Sequence, residues 1–242
     1  MFLSKKVKFT AFCLALLSCL AVMLPGTALA DTCAEHDFVE VGTVPATTTE
    51  DGSVEYVCSV CGETKSELIP RIGTVTLHAA SVSYKAKAQR PDIIITDITG
   101  APISSEYYTV SMEDEGGHSV PHANAIGKYT IYITFQDKYF GVSTLTFKVV
   151  PVAVENFTAT SEDPKSVTFT YDPVAGAKGY QIYYSAHKHG PYKKLATTSN
   201  TTYTYTRLTS GKTYYFKVRA YVNTRSGSIG GEFSGIRKVT VQ

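Results

Sequence analysis

Large apolar residues alternate with polar ones in short runs along most of the chain, and this alternation predicts β-strands. From Tyr129 to Phe135 every second side chain is large and apolar, which is the period of a strand with one buried face. The same period recurs over residues 145–149, 167–171, 180–184 and 214–220. Segments rich in Gly, Pro, Asp and Asn separate the runs and provide turns. We therefore predict a mainly β fold in which a small N-terminal module is followed by two β-sandwiches.

The N-terminus shows a different pattern, in which three lysines precede an almost continuous apolar run from Phe9 to Leu24. An A-x-A arrangement of small residues ends at Ala30, so the layout is that of a secretory signal peptide. We predict a signal peptide over residues 1–30. The alternative is an uncleaved membrane anchor, but the run is shorter than the roughly 20 apolar residues that span a bilayer. Export makes the chain secreted, or held noncovalently at the cell surface, with no membrane span after cleavage.

The net charge of the chain argues against nucleic acid as a partner. The chain has 23 basic and 21 acidic residues, and the signal peptide removes three lysines and no acid, so the remainder is close to neutral. Without a basic excess or a basic run, the chain cannot neutralise a phosphate backbone. The length left after cleavage suits one to three domains of roughly 100 to 200 residues each.

Three cysteines and one histidine remain after cleavage, in a spacing typical of metal ligands. Cys33 and His36 form a C-x-x-H pair, and Cys58 and Cys61 form a C-x-x-C pair. Four such ligands suit tetrahedral zinc, and because they leave no coordination position open, the metal would be structural. Gly62, directly after the second pair, can adopt the positive φ that a metal knuckle needs. The alternative is a disulfide plus one free thiol, since exported proteins meet oxidising surroundings.

The segment around these ligands has few large apolar residues and is too small for a self-sufficient core, a deficit that metal binding would offset. It resembles a short ribbon-like Cys/His repeat of bacterial secreted and cell-surface proteins. Position 48 of that repeat is commonly Cys, whereas Thr48 stands here. The resemblance implies a zinc-ribbon-like module at residues 31–71. It rests on Pro45-Ala-Thr-Thr48, Glu50-Asp-Gly52 and Tyr56-Val-Cys58-Ser-Val-Cys61-Gly-Glu63.

Residues 72–150 form the second predicted module, a series of short strands separated by turns. The module contains Tyr108-Thr-Val110, Gly127-Lys-Tyr129 and Tyr139-Phe-Gly141. Through these residues it resembles the immunoglobulin-like repeats of Gram-positive surface proteins, which implies a β-sandwich that acts as a spacer or an adhesive unit. His118 and His122 lie near several acidic residues, but the Gly and Pro residues around them indicate a solvent-exposed loop.

Residues 151–242 form the third predicted module, in which seven short strands fit into one β-sandwich. The strands, their spacing and the segment from Leu208 to Ala220 resemble a fibronectin type III domain. The Trp usual in the second strand of that family has no counterpart, so we expect Phe169 or Tyr171 to fill its volume. Thr224-Arg-Ser-Gly227 lacks the acid of the integrin-binding tripeptide, so integrin adhesion is not implied.

One face of the third module is predicted to carry aromatic and basic residues. If the apolar residues of the strand at 214–220 face inward, the residues between them face outward. Aromatic rings stack on sugars or peptides and Arg binds carboxylates, so this face is the leading candidate for ligand contact. The alternative is a set of cross-strand pairs that stabilise an exposed sheet face. The candidate residues are Tyr183, Tyr215, Lys217, Arg219 and Tyr221.

No motif in the sequence indicates catalysis. The sequence contains no G-x-S-x-G, H-E-x-x-H, phosphate-loop or dinucleotide motif. We therefore predict a non-catalytic binding or adhesion module that recognises an extracellular protein or glycan. Two alternatives stay open, namely a structural spacer that presents or links surface components and an accessory region of an extracellular hydrolase system.

Overall fold

The computed structural model describes Cys33 and residues 35–242, so the predicted signal peptide at residues 1–30 lies outside the described residues. The described part of the chain contains seventeen strands and one 3-10 turn, Ser105–Tyr107, and no α-helix. No helix in this part is long and apolar enough to cross a membrane. The prediction of a mainly β fold is confirmed.

The first three strands form an antiparallel sheet with β2 in the centre. Alternate residues of β2 point to opposite faces, so Val54 and Cys58 are buried. The pairing of Phe38 with Cys58 brings the start of β1 next to the end of β2, which positions the metal-ligand candidates. The strands are β1 (Phe38–Val44), β2 (Gly52–Cys58) and β3 (Thr64–Ile69).

The second module consists of a two-stranded sheet, β4-β6, and a four-stranded sheet in the order β5-β9-β8-β7. β5 is parallel to β9, and the other pairs are antiparallel. In β8 every second residue from Gly127 to Phe135 is buried, as the alternation predicts. The strands are β4 (Ile72–Leu77), β5 (Ser81–Ser83), β6 (Ile93–Asp97), β7 (Tyr108–Glu113), β8 (Gly127–Phe135) and β9 (Gly141–Val150).

The first sheet and the second module share one hydrophobic cluster, to which Val54 of β2 and Ile131 of β8 both belong. Backbone hydrogen bonds join them as well. The Ala46 amide donates to the Lys138 carbonyl at 2.9 Å, and the Phe140 amide donates to the Ala46 carbonyl at 2.8 Å. The N-terminal segment therefore buries its few apolar residues against a neighbour instead of forming a core of its own.

The third module has two sheets, β10-β11-β14 and β13-β12-β15-β16. β17 pairs with β15 along the same edge as β16, so these two act as one strand interrupted at residues 231–236. The strands are β10 (Thr158–Thr160), β11 (Val167–Thr170), β12 (Gly179–Ser185), β13 (Lys193–Thr198), β14 (Thr202–Tyr205), β15 (Thr213–Thr224), β16 (Gly227–Gly230) and β17 (Arg237–Thr240).

Aromatic residues fill the space between these two sheets. Phe169 of β11 meets Phe216 of β15 edge to face, with 5.0 Å between the ring centroids. Phe169 and Tyr171 are both buried, together with Phe157. The two residues expected to fill the volume of the missing Trp are therefore both part of the core of this module.

Candidate metal centre and candidate binding face

The four residues predicted as metal ligands come together at one end of the first sheet. The Ser59 amide and hydroxyl bond the carbonyl and the carboxylate of Asp37, each at 2.8 Å, and this fastens the segment before β1 to the turn after β2. Two of the predicted ligands precede β1, one ends β2 and one lies in the turn, in the order Cys33, His36, Cys58 and Cys61.

The ligand atoms of these four side chains all lie within 4.8 Å of one another. Cys33 Sγ is 3.9 Å from Cys58 Sγ, and Cys61 Sγ is 3.4 Å from His36 Nδ1. Tetrahedral zinc, with bonds of about 2.3 Å to sulfur and about 2.0 Å to nitrogen, separates two sulfurs by about 3.8 Å and a sulfur and a nitrogen by about 3.5 Å. A disulfide needs sulfurs about 2.05 Å apart, whereas all three cysteines are free. The four side chains are close enough to bind one metal ion.

The thiols in this cluster differ in acidity. The amides of Cys61 and Val60 donate hydrogen bonds to the Cys58 sulfur and lower its pKa to about 6. Burial, and the nearby sulfur of Cys58, raise the pKa of the Cys33 thiol to about 11. Gly62, at a φ of +76°, forms the turn that aims these amides, as predicted. Because the pKa of the Cys33 thiol is raised, a metal ion that bound this residue would have to displace its proton.

Glu63 lies beside this cluster, although no motif in the sequence assigns it there. Its Oε2 lies 3.3 Å from His36 Nε2, the ring nitrogen that does not face Cys61. The His36 ring also stacks on Phe38, with 5.3 Å between the centroids and 25° between the planes. The available signal was the position of Glu63 two residues after the C-x-x-C pair. In a chain with 21 acidic residues, that position alone does not single out one carboxylate.

The predicted binding face of the third module is a stack of cations and aromatic rings. Lys217 Nζ lies 3.9 Å from the centroid of Phe233 and 4.3 Å from that of Tyr192. The Arg219 guanidinium lies 5.0 Å from the centroid of Phe233 and 5.3 Å from that of Tyr183. Phe233 and Tyr192 were not among the predicted residues. We call these five residues the cation–ring ladder.

Hydrogen bonds and burial hold the two cations of the ladder in place. Arg219 donates from Nε to Gln181 Oε1 and from Nη2 to Tyr183 Oη, each at 3.0 Å. Burial, together with the charge of Arg219, lowers the pKa of Lys217. Contacts of this kind between cations and rings of the same domain stabilise the folded sheet.

Tyr215 and Tyr221 lie on β15 to either side of the ladder. Tyr215 pairs with Ser185, and Tyr221 pairs with Gly179, both on β12. All five residues predicted for ligand contact are half-buried, and their positions in β12 and β15 put them on one face. The sequence therefore predicted which face carries these residues. It did not predict that the rings of Tyr192 and Phe233, which lie outside β12 and β15, contact the cations on that face.

A carboxylate connects the second and third modules. Glu115, in the loop after β7, accepts hydrogen bonds from the Ser226 amide at 3.2 Å and the Ser226 hydroxyl at 3.1 Å. The Lys128 amide donates to the same carboxylate at 3.0 Å. Burial opposes ionisation of Glu115, but the hydrogen bonds outweigh it and lower its pKa. His118 in this loop is exposed, as predicted, whereas His122 is half-buried. Glu115 contacts the neighbouring module.

Two further contacts lie at the same joint. The Ser83 hydroxyl donates to Glu232 Oε1 at 2.7 Å. At Gly231 an added Cβ would lie 2.5 Å from the Pro151 carbonyl oxygen, so only Gly lets the two backbone segments approach this closely. The joint therefore combines hydrogen bonds with close backbone packing.

A sequence profile of the fibronectin type III domain matches residues 152–234, and no curated protein matches the chain. The solved structure of FN3tt is 25% identical and covers 38% of this chain and 97% of its own, with a TM-score of 0.32. A Fn3-like protein from Clostridium thermocellum is 22% identical over 38% of this chain and 91% of its own, with a TM-score of 0.30. The FN1–FN3 domains of chicken CNTN1 are 14% identical over 79% of this chain and 78% of their own, with a TM-score of 0.34. On the profile match and the two-sheet arrangement of β10 to β17, residues 152–234 are a fibronectin type III domain.

Proposed function

We propose that this protein is a non-catalytic extracellular spacer that keeps the components it links at a fixed separation. The observation that carries the proposal is Glu115, whose carboxylate accepts two hydrogen bonds from Ser226 of the neighbouring module. A spacer maintains a distance only if its joints resist bending, and a short linker alone limits motion without preventing it. Export through the segment at residues 1–30 is part of this proposal.

The joint between the first sheet and the second module supports the same function. Ala46 takes part in two backbone hydrogen bonds across this joint, and Val54 packs in the hydrophobic cluster of the second module. Bending at this position would expose apolar surface to water, which is unfavourable in proportion to the area exposed. Both joints therefore have contacts that oppose motion.

Small-angle X-ray scattering of the purified protein tests the spacer. The variant Glu115→Ala removes the carboxylate at the second joint, and we expect a broader distribution of maximum dimensions than in the wild type. The matched control is Glu113→Ala, because the Glu113 carboxylate accepts a hydrogen bond from Tyr132 within its own module, at 3.1 Å. Equal distributions for Glu115→Ala and the control would refute the proposed role of this joint.

We also propose that the Cys33, His36, Cys58 and Cys61 side chains hold a structural zinc ion. Three sulfurs and one imidazole nitrogen are a donor set that zinc accepts, and the Cys33–Cys58 and Cys61–His36 separations are close to the edges of a tetrahedral site. When bound, zinc would cross-link the segment before β1 to the end of β2. Four protein ligands would leave no position for a substrate, which fits a structural role.

Metal analysis of the protein purified without chelator tests the zinc site. We expect one zinc ion per chain, its loss in Cys58→Ser, and no disulfide among the three thiols of the wild type. A metal-free protein whose first sheet still resists proteolysis would refute the site. A disulfide within the cluster would refute it as well.

A second candidate function is recognition of an extracellular protein or glycan by the face that carries the ladder. The supporting observation is that Lys217 and Arg219 form no ion pair with any carboxylate among residues 35–242, although half-exposed rings surround them. Glycan and protein arrays test this function. Binding that is lost in Tyr215→Ala, at an unchanged melting temperature, would support recognition, and the absence of any bound ligand would favour the spacer.

A further inference from the structure

We infer that Glu63 is a positioning residue of the proposed metal site, where it orients the His36 imidazole so that Nδ1 faces the three sulfurs. This inference rests on the proposed zinc site and adds to it a residue that is not itself a ligand. Histidine ligands of metals generally donate their second ring N–H to a carboxylate, a carbonyl or a water, and this partner fixes both the tautomer and the ring orientation.

The two nitrogens of His36 face different partners. Nδ1 lies 3.4 Å from Cys61 Sγ, close to the distance of about 3.5 Å between a sulfur and a nitrogen on tetrahedral zinc. Nε2 lies 3.3 Å from Glu63 Oε2. A nitrogen that binds a metal must offer its lone pair, so the proton of the neutral ring belongs on Nε2, where a carboxylate accepts it.

The Glu63 backbone is part of the same turn as the ligands. The Cys58 amide donates to the Glu63 carbonyl at 2.7 Å, and the Gly62 amide donates to the Cys58 carbonyl at 2.9 Å. These bonds return the chain toward the end of β2, and this places the Glu63 side chain beside His36. Glu63 therefore contacts one ligand residue through its backbone and another through its carboxylate.

Phe38 restrains the His36 ring in a second direction. The two rings stack with 25° between their planes, which limits tilting of the imidazole. Stacking does not distinguish the two flipped orientations of an imidazole ring, because both present similar faces to Phe38. The carboxylate of Glu63 distinguishes them, since only one orientation puts a ring N–H against it and leaves the other nitrogen facing the sulfurs.

An ordinary surface ion pair would show a similar distance, since 59% of the Glu63 side chain and 34% of the His36 side chain are exposed. Such a pair would leave metal affinity unchanged. Zinc affinity and the geometry of the bound metal therefore separate the two interpretations, and the geometry is the readout that does not depend on the contribution of Glu63 to stability.

The test measures the zinc affinity of the purified protein by competition with a chromophoric chelator. For Glu63→Ala we expect a loss of about 10- to 100-fold, the usual effect of removing such a partner. For Glu63→Gln we expect a smaller loss, because the amide oxygen still accepts the ring N–H. The matched control is Glu55→Ala, which removes a carboxylate of the same sheet that accepts a bond from the Ser66 hydroxyl at 2.7 Å, and it should bind zinc as the wild type does.

Cobalt substitution provides the second readout. The visible spectrum of four-coordinate Co²⁺ depends on ligand geometry, so Glu63→Ala should shift it, whereas Glu63→Gln should stay close to the wild type. If Glu63→Ala and Glu55→Ala match the wild type in zinc affinity and in cobalt spectrum, the role of Glu63 is refuted while the zinc site stands. If the wild type binds no zinc, the proposed site itself is refuted, and the inference with it.

Discussion

Replacing Phe233 with Ala removes the ring that Lys217 and Arg219 share. Phe233 lies between β16 and β17, and it also meets Tyr183 edge to face, with 5.1 Å between the centroids and 89° between the planes. The ring therefore contacts side chains of both β12 and β15, the central pair of the larger sheet. We expect its loss to destabilise the fibronectin type III domain although Phe233 lies outside the buried core.

The size of the effect follows from three contacts. Each contact between a cation and a ring contributes roughly 0.5 to 1 kcal/mol at a partly exposed position, and the edge-to-face pair contributes about 0.5 to 1.5 kcal/mol. Burial of Lys217, which lowers its pKa, favours the upper part of the range. We expect Phe233→Ala to lower the free energy of unfolding by about 2 to 3 kcal/mol. Phe233→Leu loses the same three contacts and keeps only the apolar bulk of the side chain, so it should cost a similar amount, about 2 kcal/mol.

Native-state hydrogen exchange of the amides in β12 and β15 is the suitable assay, because it reports the free energy of opening of this domain without interference from the other modules. The control is Phe140→Ala in the second module, whose side chain is 65% exposed, and we expect no change in β12 or β15. If the amides of Phe233→Leu exchanged at wild-type rates, the contacts between the cations and the ring would not contribute to the stability of the domain, and the proposed role of the ladder would be wrong.

Three further predictions follow from single groups. The Glu115 carboxylate has a pKa below its usual value of 4.5, so in its ionised form it should stabilise the joint at pH values above 4.5. This stabilisation should disappear as the pH falls through the lowered pKa. Glu115→Gln should make the joint insensitive to pH in scattering measurements. Cys58→Ser should speed hydrogen exchange in β1 to β3 and leave β11 to β15 unchanged, whereas unchanged exchange throughout would contradict a structural metal. Tyr171→Phe should lower the free energy of unfolding of the third module by about 1 kcal/mol, because the Tyr171 hydroxyl donates to the Asn200 carbonyl at 3.0 Å; a neutral effect in urea unfolding would contradict this.

Alternation identified the strands because one face of each sheet packs on a core and the other meets solvent. β8 shows this most clearly, with every second residue buried from Gly127 to Phe135. The ligand cluster was also predictable, because each pair of ligands is held close together by its own short segment. A single strand pairing is then enough to bring the C-x-x-H pair next to the C-x-x-C pair. That pairing is the register of Phe38 with Cys58.

Contacts made by loops could not be predicted in the same way, because loops have no period that relates sequence position to side-chain direction. Phe233 follows β16 in a segment without alternation, yet its ring is the centre of the ladder. Ala46 is a small residue in a connection, and nothing in its neighbourhood marks it as the link to residues 138–140. Glu115 lies among Gly and acidic residues typical of an exposed loop, although it bonds Ser226 across the joint.

The geometry of Arg219 bears on which ligand the ladder face could recognise. An arginine binds a carboxylate most strongly through two parallel N–H donors, but Arg219 already uses Nε for Gln181 and Nη2 for Tyr183. An acidic ligand that approached the side formed by Nε and Nη2 would have to break one of these bonds, whereas the remaining N–H donors of Nη1 and Nη2 are not used by Gln181 or Tyr183. A sugar ring that stacked on Tyr215 or Tyr221 would not displace a hydrogen bond, because it would contact only the aromatic face. If the arrays reveal a glycan ligand, its binding should therefore depend on Tyr215 and Tyr221, and binding that Tyr215→Ala and Tyr221→Ala both leave unchanged would refute this reasoning.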